Sequence, residues 1–95
     1  MSANTVPVAK FRLGRIVATQ NAFARLTQED ILRGIGRHQA GDWGDVGEED
    51  RKENEVSLTR RLRLFSVYHS SSGVQFWMIT KADRLTTKVR LPKDS

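Results

Sequence analysis

The two histidines, His38 and His69, are the only imidazoles in this sequence, and each has neighbours that could do chemistry. His69 precedes Ser70, Ser71 and Ser72, and His38 precedes Asp42 and Asp45. A serine nucleophile needs a base beside it and, in the commonest α/β setting, a strained G-x-S-x-G elbow that exposes its hydroxyl. No such elbow occurs, and neither does a P-loop; Gly34-Ile35-Gly36 is too short for a dinucleotide fingerprint. With no cysteine there is no thiolate nucleophile, disulfide framework or Cys-based zinc site. The carboxylates between Asp42 and Glu55 do not have the spacing of an EF-hand loop, and no histidine is interspersed among them. These residues point away from catalysis. The expectation is a non-enzyme with no cofactor, no metal and no small-molecule substrate.

Charge is the stronger signal. The net charge is +5, but it is divided unevenly along the chain. Residues 1–27 carry +4 with no acid, residues 28–58 carry −5, and residues 59–95 carry +6. Such asymmetry favours a partner with an electrostatic footprint, either anionic or itself dipolar. Arg61 and Arg63 alternate with Leu62 and Leu64, and Lys88 and Arg90 alternate with Val89 and Leu91. If the apolar residues face inward, the four cations share the other face of a sheet, where they could meet phosphates or an acidic protein surface. The alternative is a solvated sheet face kept charged against aggregation, and no aromatic base-stacking ladder accompanies the cations. Asp42, Trp43 and Asp45 form a second candidate contact surface. The acidic run there could imitate a phosphate backbone, or be a solvated helix with local pairs such as Glu48 with Lys52. Trp43 either plugs a core edge or anchors an interface.

The elements that must position these residues follow from periodicity. Ninety-five residues, 38% hydrophobic and 28% charged, suit one modest core under a solvated surface. Residues 1–10 read as a flexible lead-in, 11–92 as the domain and 93–95 as a tail. Phe11 to Thr19 predicts a strand with a bend at Gly14. Thr19 caps a short helix with Ala22, Phe23 and Leu26 inward, and Thr27 with Asp30 forms a capping box. The next helix sets Ile31, Leu32 and Ile35 on one face and ends near Gly41. A polar helix follows, with Glu48, Glu49 and Asp50 at its start and an end near Leu58. From Arg60 the period becomes two, Ser70 to Gly73 make a hairpin turn, Val74 to Thr80 form a central apolar strand, and Thr86 to Leu91 form the last. The predicted fold is α+β: an antiparallel sheet of about four strands with about three helices on one face, in the order β-α-α-α-β-β-β. No apolar run approaches the ~20 residues of a membrane helix, and Met1 to Lys10 is no secretory signal. No membrane partner is expected, and a cytoplasmic location fits.

Five blocks carry a family resemblance: Phe11-x-Leu13-Gly14-x-Ile16-Val17-Ala18-Thr19; His38-x-x-Gly41-Asp42-Trp43-Gly44; Glu49-Asp50 with Asn54; Ile79-Thr80-x-Ala82-Asp83-Arg84; and Leu91-Pro92. In this order they resemble a family of small bacterial proteins of plasmids, prophages and other mobile elements. Its members are labelled plasmid-related proteins or type I restriction methylase subunits. A base methylase needs a cofactor-binding glycine loop and a Pro-Pro-aromatic motif, and this sequence has neither. Its ending is also more basic than the family's, through Lys81, Lys88, Arg90 and Lys93. The resemblance implies a mobile-element context; with the small size, the absent catalytic motifs and the split charge, it leads to the expectation of a non-catalytic interaction protein acting on nucleic-acid machinery, one form being an inhibitor of a host defence complex such as a CRISPR or restriction assembly. Its partner would be a protein of that complex. Direct DNA or RNA binding as a small regulator is the alternative.

Overall fold

Four strands and three helices follow one another in the expected order: β1 (Arg15–Ala18), α1 (Gln20–Arg25), α2 (Gln28–Gln39), α3 (Glu48–Arg60), β2 (Leu64–His69), β3 (Gln75–Thr80) and β4 (Thr86–Arg90). They belong to a computed structural model that describes residues 9–94, so the expected lead-in lies, for residues 1–8, outside the described residues. The sheet order is β1-β4-β3-β2, which makes the apolar strand β3 central as expected. The pairs β2–β3 and β3–β4 are antiparallel, whereas β1 pairs with β4 in parallel. That pairing follows from the connection. The three helices carry the chain from β1 to the far edge of the sheet, and a long crossover of this kind is what parallel pairing requires.

Short-range chemistry sets the helix starts. The Thr19 hydroxyl accepts from the Ala22 N–H at 3.1 Å. Thr27 and Asp30 exchange both bonds of a capping box at 3.0 Å each. The second Asp30 oxygen accepts from the Ser71 N–H at 3.0 Å, so one buried carboxylate ties the start of α2 to the β2–β3 hairpin. These bonds favour its charged form and hold its pKa down at about 2. Glycine matters most at Gly14, with φ +67°, where a Cβ would lie 2.3 Å from the Leu85 backbone. The bend expected within a strand from Phe11 to Thr19 thus stands ahead of a shorter one, and it lets β1 enter beside β4.

Ala22, Leu26, Tyr68, Phe76, Met78, Val89 and Leu91 form the main core cluster between α1, α2 and one face of the sheet. Each large side chain fully buried there contributes roughly 1.5–3 kcal/mol relative to exposure. Two expected core residues are not in it: Phe23 is 75% and Leu32 57% exposed. The buried stripe of α2 is instead Ile31, Gly34, Ile35 and His38, at i, i+3, i+4 and i+7. Gly34 belongs to it because a Cβ there would press within 3.0 Å of Met78 and 3.2 Å of Phe76. Asp94, in the expected tail, is also part of the fold. The Asp94 carboxylate accepts from the Thr19 hydroxyl, from Asn21 Nδ2 at 2.9 Å and from the Leu91 N–H at 2.8 Å.

The helix α3 lies along the outer edge of β2. Asn54 accepts from the Phe65 N–H at 3.0 Å and donates to the Phe65 carbonyl at 2.7 Å, completing that edge with a side chain. Its last turn is held by Arg84, whose guanidinium donates to the carbonyls of Ser57 at 2.9 Å, Leu62 at 2.7 Å and Lys81 at 3.1 Å. A cation at a helix C-terminus complements the helix dipole, and here it also locks the β3–β4 turn to α3.

Candidate functional site

The His38 side chain is fully buried, reached by Ser66 on β2 and Thr80 on β3. Its Nδ1 lies 2.5 Å from Ser66 Oγ and its Nε2 2.9 Å from Thr80 Oγ1; Thr80 meets Thr87 at 2.7 Å. The Thr87 hydroxyl donates to the Leu13 carbonyl at 2.8 Å, and this fixes the direction of the whole chain. Each hydroxyl has one proton, so Thr80 must donate to Thr87, His38 Nε2–H to Thr80, and Ser66 to the bare Nδ1 of a neutral ring. Burial, assisted by the Arg84 charge, lowers the His38 pKa to about 3 and agrees with that neutral form. Ser66, Thr80 and Thr87 are each fully buried as well. The Ser–His contact is therefore sealed from any substrate in this fold. It crosses the sheet as a polar seam, and no buried side-chain nitrogen or oxygen among the described residues lacks a partner.

The second expected surface, Asp42, Trp43 and Asp45, is divided by the structure. Trp43 is 1% exposed, in a cluster with Val46, Leu64 and Val67, and its indole N–H donates to Glu55 at 2.9 Å. Of its two expected roles, core plugging holds; its ring offers nothing to a partner in this fold. Asp42 receives the Arg37 fork at 2.8 and 3.2 Å, which holds its carboxyl below the usual range. Tyr68 donates to the Asp42 carbonyl at 2.6 Å, and Arg37 covers the Tyr68 ring at 4.6 Å. Asp45 is exposed, 3.1 Å from His69 Nδ1. The backbone of this loop closes the rest of the β2 edge: Val67 donates to the Trp43 carbonyl at 3.0 Å and accepts from the Asp45 N–H at 2.8 Å. The local ion pair on α3 joins Glu48 to Arg51 at 3.8 Å rather than to Lys52.

The basic row is partly as expected and partly not. Lys88 and Arg90 do project from the sheet face opposite α1 and α2. Arg63 points the same way, its guanidinium 5.8 Å from the Phe65 ring centre. Arg61 does not join them. It is the C-cap of α3, in the left-handed region at φ 57°, and it lines a hollow with Lys10, Phe11, Arg12, Leu58 and Arg84. The strand expected from Arg60 starts only at Leu64, because α3 runs on through Arg60 and its cap uses the next residues.

Two contributors to the open face are not evident from the one-dimensional pattern. Strand register puts Val17, Lys88, Ile79 and Phe65 in one row across the sheet, and Arg90, Trp77 and Val67 in the next. Arg15 stands opposite Thr86 in a further row, on the same side as Val17 and Lys88. Hence the expectation of no aromatics beside the cations is corrected. Phe65 and Trp77 lie edge to face with centres 5.2 Å apart, and Arg90 covers Trp77 at 5.2 Å. Both rings are partly exposed. A shallow depression of about 370 Å³ beside them is lined by Val17, Ile79, Lys81, Thr86, Lys88 and Arg90, none of them acidic. The alternation in VQFWMIT was hidden because both faces of β3 are apolar; only pairing with β4 shows that Trp77 faces the cations.

No family model matches this chain, and searches of curated proteins and of solved structures find no match to it. Among the described residues no helix is long and apolar enough to cross a membrane, and no group of three or more His, Cys, Asp or Glu side chains could hold a metal ion.

Proposed function

We propose that this chain is a non-catalytic interaction protein of nucleic-acid machinery, and that its working surface is the sheet face opposite α1 and α2, open beyond the Val46–Val67 contact at its β2 side. One observation carries the reading: cations from two strands and from the segments beside two others, Arg15 on β1, Lys88 and Arg90 on β4, Arg63 just before β2 and Lys81 just after β3, share a sheet face with partly exposed aromatic rings whose strand rows hold no acid. A face kept charged only for solubility would be expected to mix both signs. The β1–β4 side of this one presents cations alone, with the acids Asp45 and Glu53 confined to the β2 side, which suits a polyanionic partner and raises the rate of encounter with it. The mobile-element context implied by the resemblance makes a host defence complex a concrete target, with the chain acting stoichiometrically as its inhibitor.

The test is affinity purification from a host lysate, with wild type, an Arg15→Glu/Lys88→Glu double variant and an Arg25→Glu control on the helical side. The partner should be recovered by wild type and by the control, and lost from the double variant. Equal recovery by all three would remove the open face from the mechanism.

A further inference from the structure

We infer that the open sheet face binds single-stranded nucleic acid directly, with a base stacked on the Arg90–Trp77 pair and phosphates on Lys88, Lys81 and Arg15. The inference rests on the sheet-face reading above and names its partner.

Three features of the face separate a single strand from other polyanions. The first is the aromatic floor. An acidic protein surface needs only cations, whereas an unstacked base gains from a π-face, and each stacked base adds roughly 1–3 kcal/mol. The Arg90 guanidinium lies over the Trp77 ring, 5.2 Å from its centre, and Phe65 meets that ring at 85°, so a base would stack on the guanidinium and on the part of the ring left exposed. The Arg90 fork is itself fixed, donating to the carbonyls of Leu91 at 3.2 Å and of Asp94. A base therefore meets a preorganised surface rather than a free side chain.

The second feature is the placement of charge. Lys88 and Arg90 are two residues apart on β4, about 6.8 Å along the strand. Arg15 lies one strand away on β1, and Lys81 at the mouth of the same depression. The cations thus border the aromatic pair on the β1 and turn sides, and Arg63 stands on the β2 side over Phe65. A backbone crossing the sheet would keep phosphates over the cations while its bases turn inward.

The third feature is shape. The described residues present neither a projecting helix nor a β-ribbon on this face that could enter a duplex groove. Paired bases keep their faces inside the stack, out of reach of Trp77.

The experiment is fluorescence anisotropy with labelled single strands of about 12 nucleotides, oligo-dT and oligo-rU, and with a duplex of the same length. The expected result is binding of at least one single strand in low salt, at least tenfold tighter than the duplex. Affinity should fall with salt, and Lys88→Glu should flatten that dependence by about 0.7 in the log–log slope for each phosphate no longer neutralised. Trp77→Leu should weaken binding about 5- to 100-fold. Trp77→Phe, which keeps a ring and tests against a folding defect, should retain most of it. Comparing dT with rU separates DNA from RNA as the source of the strand. Duplex binding as tight as single-strand binding would overturn the inference. So would no binding in low salt, or an unchanged affinity in a folded Trp77→Leu variant. If the lysate partner is lost from the Arg15→Glu/Lys88→Glu variant while no oligonucleotide binds, the single-strand inference fails and the sheet-face reading survives with a protein partner.

Discussion

His38 shows how far a residue's surroundings decide its role. In the sequence it could be a catalytic base or a structural residue. In the fold it is a neutral imidazole with both nitrogens engaged, between Ser66 and Thr80. Its folded pKa, about 3, lies well below its ordinary 6.5. Between those values the unfolded chain binds a proton that the folded chain refuses. Stability from this residue is therefore complete above pH 6.5 and declines as pH falls, by at most about 1.4 kcal/mol per pH unit. The carboxylates of Asp30 and Asp94, both held down at about 2, lose their contributions only below their ordinary 3.8, so the window from pH 6.5 to 4 belongs to His38. Urea unfolding at pH 7 and pH 5 should show wild type losing about 2 kcal/mol, and the less stable His38→Gln variant losing much less over the same interval. Equal losses would mean that His38 is not the group responsible. The sequence places the histidine in the turn after the Ile35 face, whereas α2 runs on to Gln39 and makes it the last buried position of the stripe. Its partners were not legible, because Ser66 and Thr80 lie 28 and 42 residues away and nothing local marks them as facing it.

At the scale of elements, residues of the sequence blocks singled out above prove to be joints of the architecture. Gly14 admits β1 beside β4, Asn54 and the Trp43–Asp45 backbone close the β2 edge, and Arg84 fastens the end of α3. Gly44 is the tightest of these. With φ +75°, it passes so close to β2 that a Cβ would fall 2.0 Å from the Val67 carbonyl oxygen, a backbone atom that cannot move aside. Gly44→Ala should therefore cost about 3 kcal/mol or more, by combining a left-handed backbone with a main-chain clash. A thermal melt would show it directly, and a variant as stable as wild type would mean the loop does not seal β2 in this way. Capping boxes, helix starts and the hairpin at Ser70–Gly73 could be read from the sequence because their chemistry spans only a few residues. Parallel pairing of β1 with β4 could not, since it depends on where three helices set the chain down. The end of α3 also escaped, since Arg61 takes a left-handed cap that is usually glycine's.

On the scale of the whole molecule, the fold turns the uneven charge of the chain into an uneven charge in space. β1 comes from the basic first third and β4 from the basic last third, and their pairing brings those ends together. The acidic middle forms α2, α3 and the loop between them, on the helical side and along the β2 edge. Concentrating like charges on one face favours an anionic partner but opposes folding, because the cations repel one another in the unliganded protein. Lys88 stands at the centre of this face, exposed, with no carboxylate among its row neighbours Val17, Ile79 and Phe65. Lys88→Gln should thus raise stability by a few tenths of a kcal/mol in low salt. Near 1 M salt, where the screening length falls to about 3 Å, the gain should vanish. The same variant should bind the polyanionic partner less tightly. Thermal melts across a salt series, read beside the binding measurement, check both halves. A stabilised variant with intact binding would mark Lys88 as bystander charge. A variant that loses stability at every salt concentration would show that Lys88 supports the fold and does not strain it. The expected pairing of gained stability with lost affinity is what distinguishes a face charged for a partner from one charged for solubility.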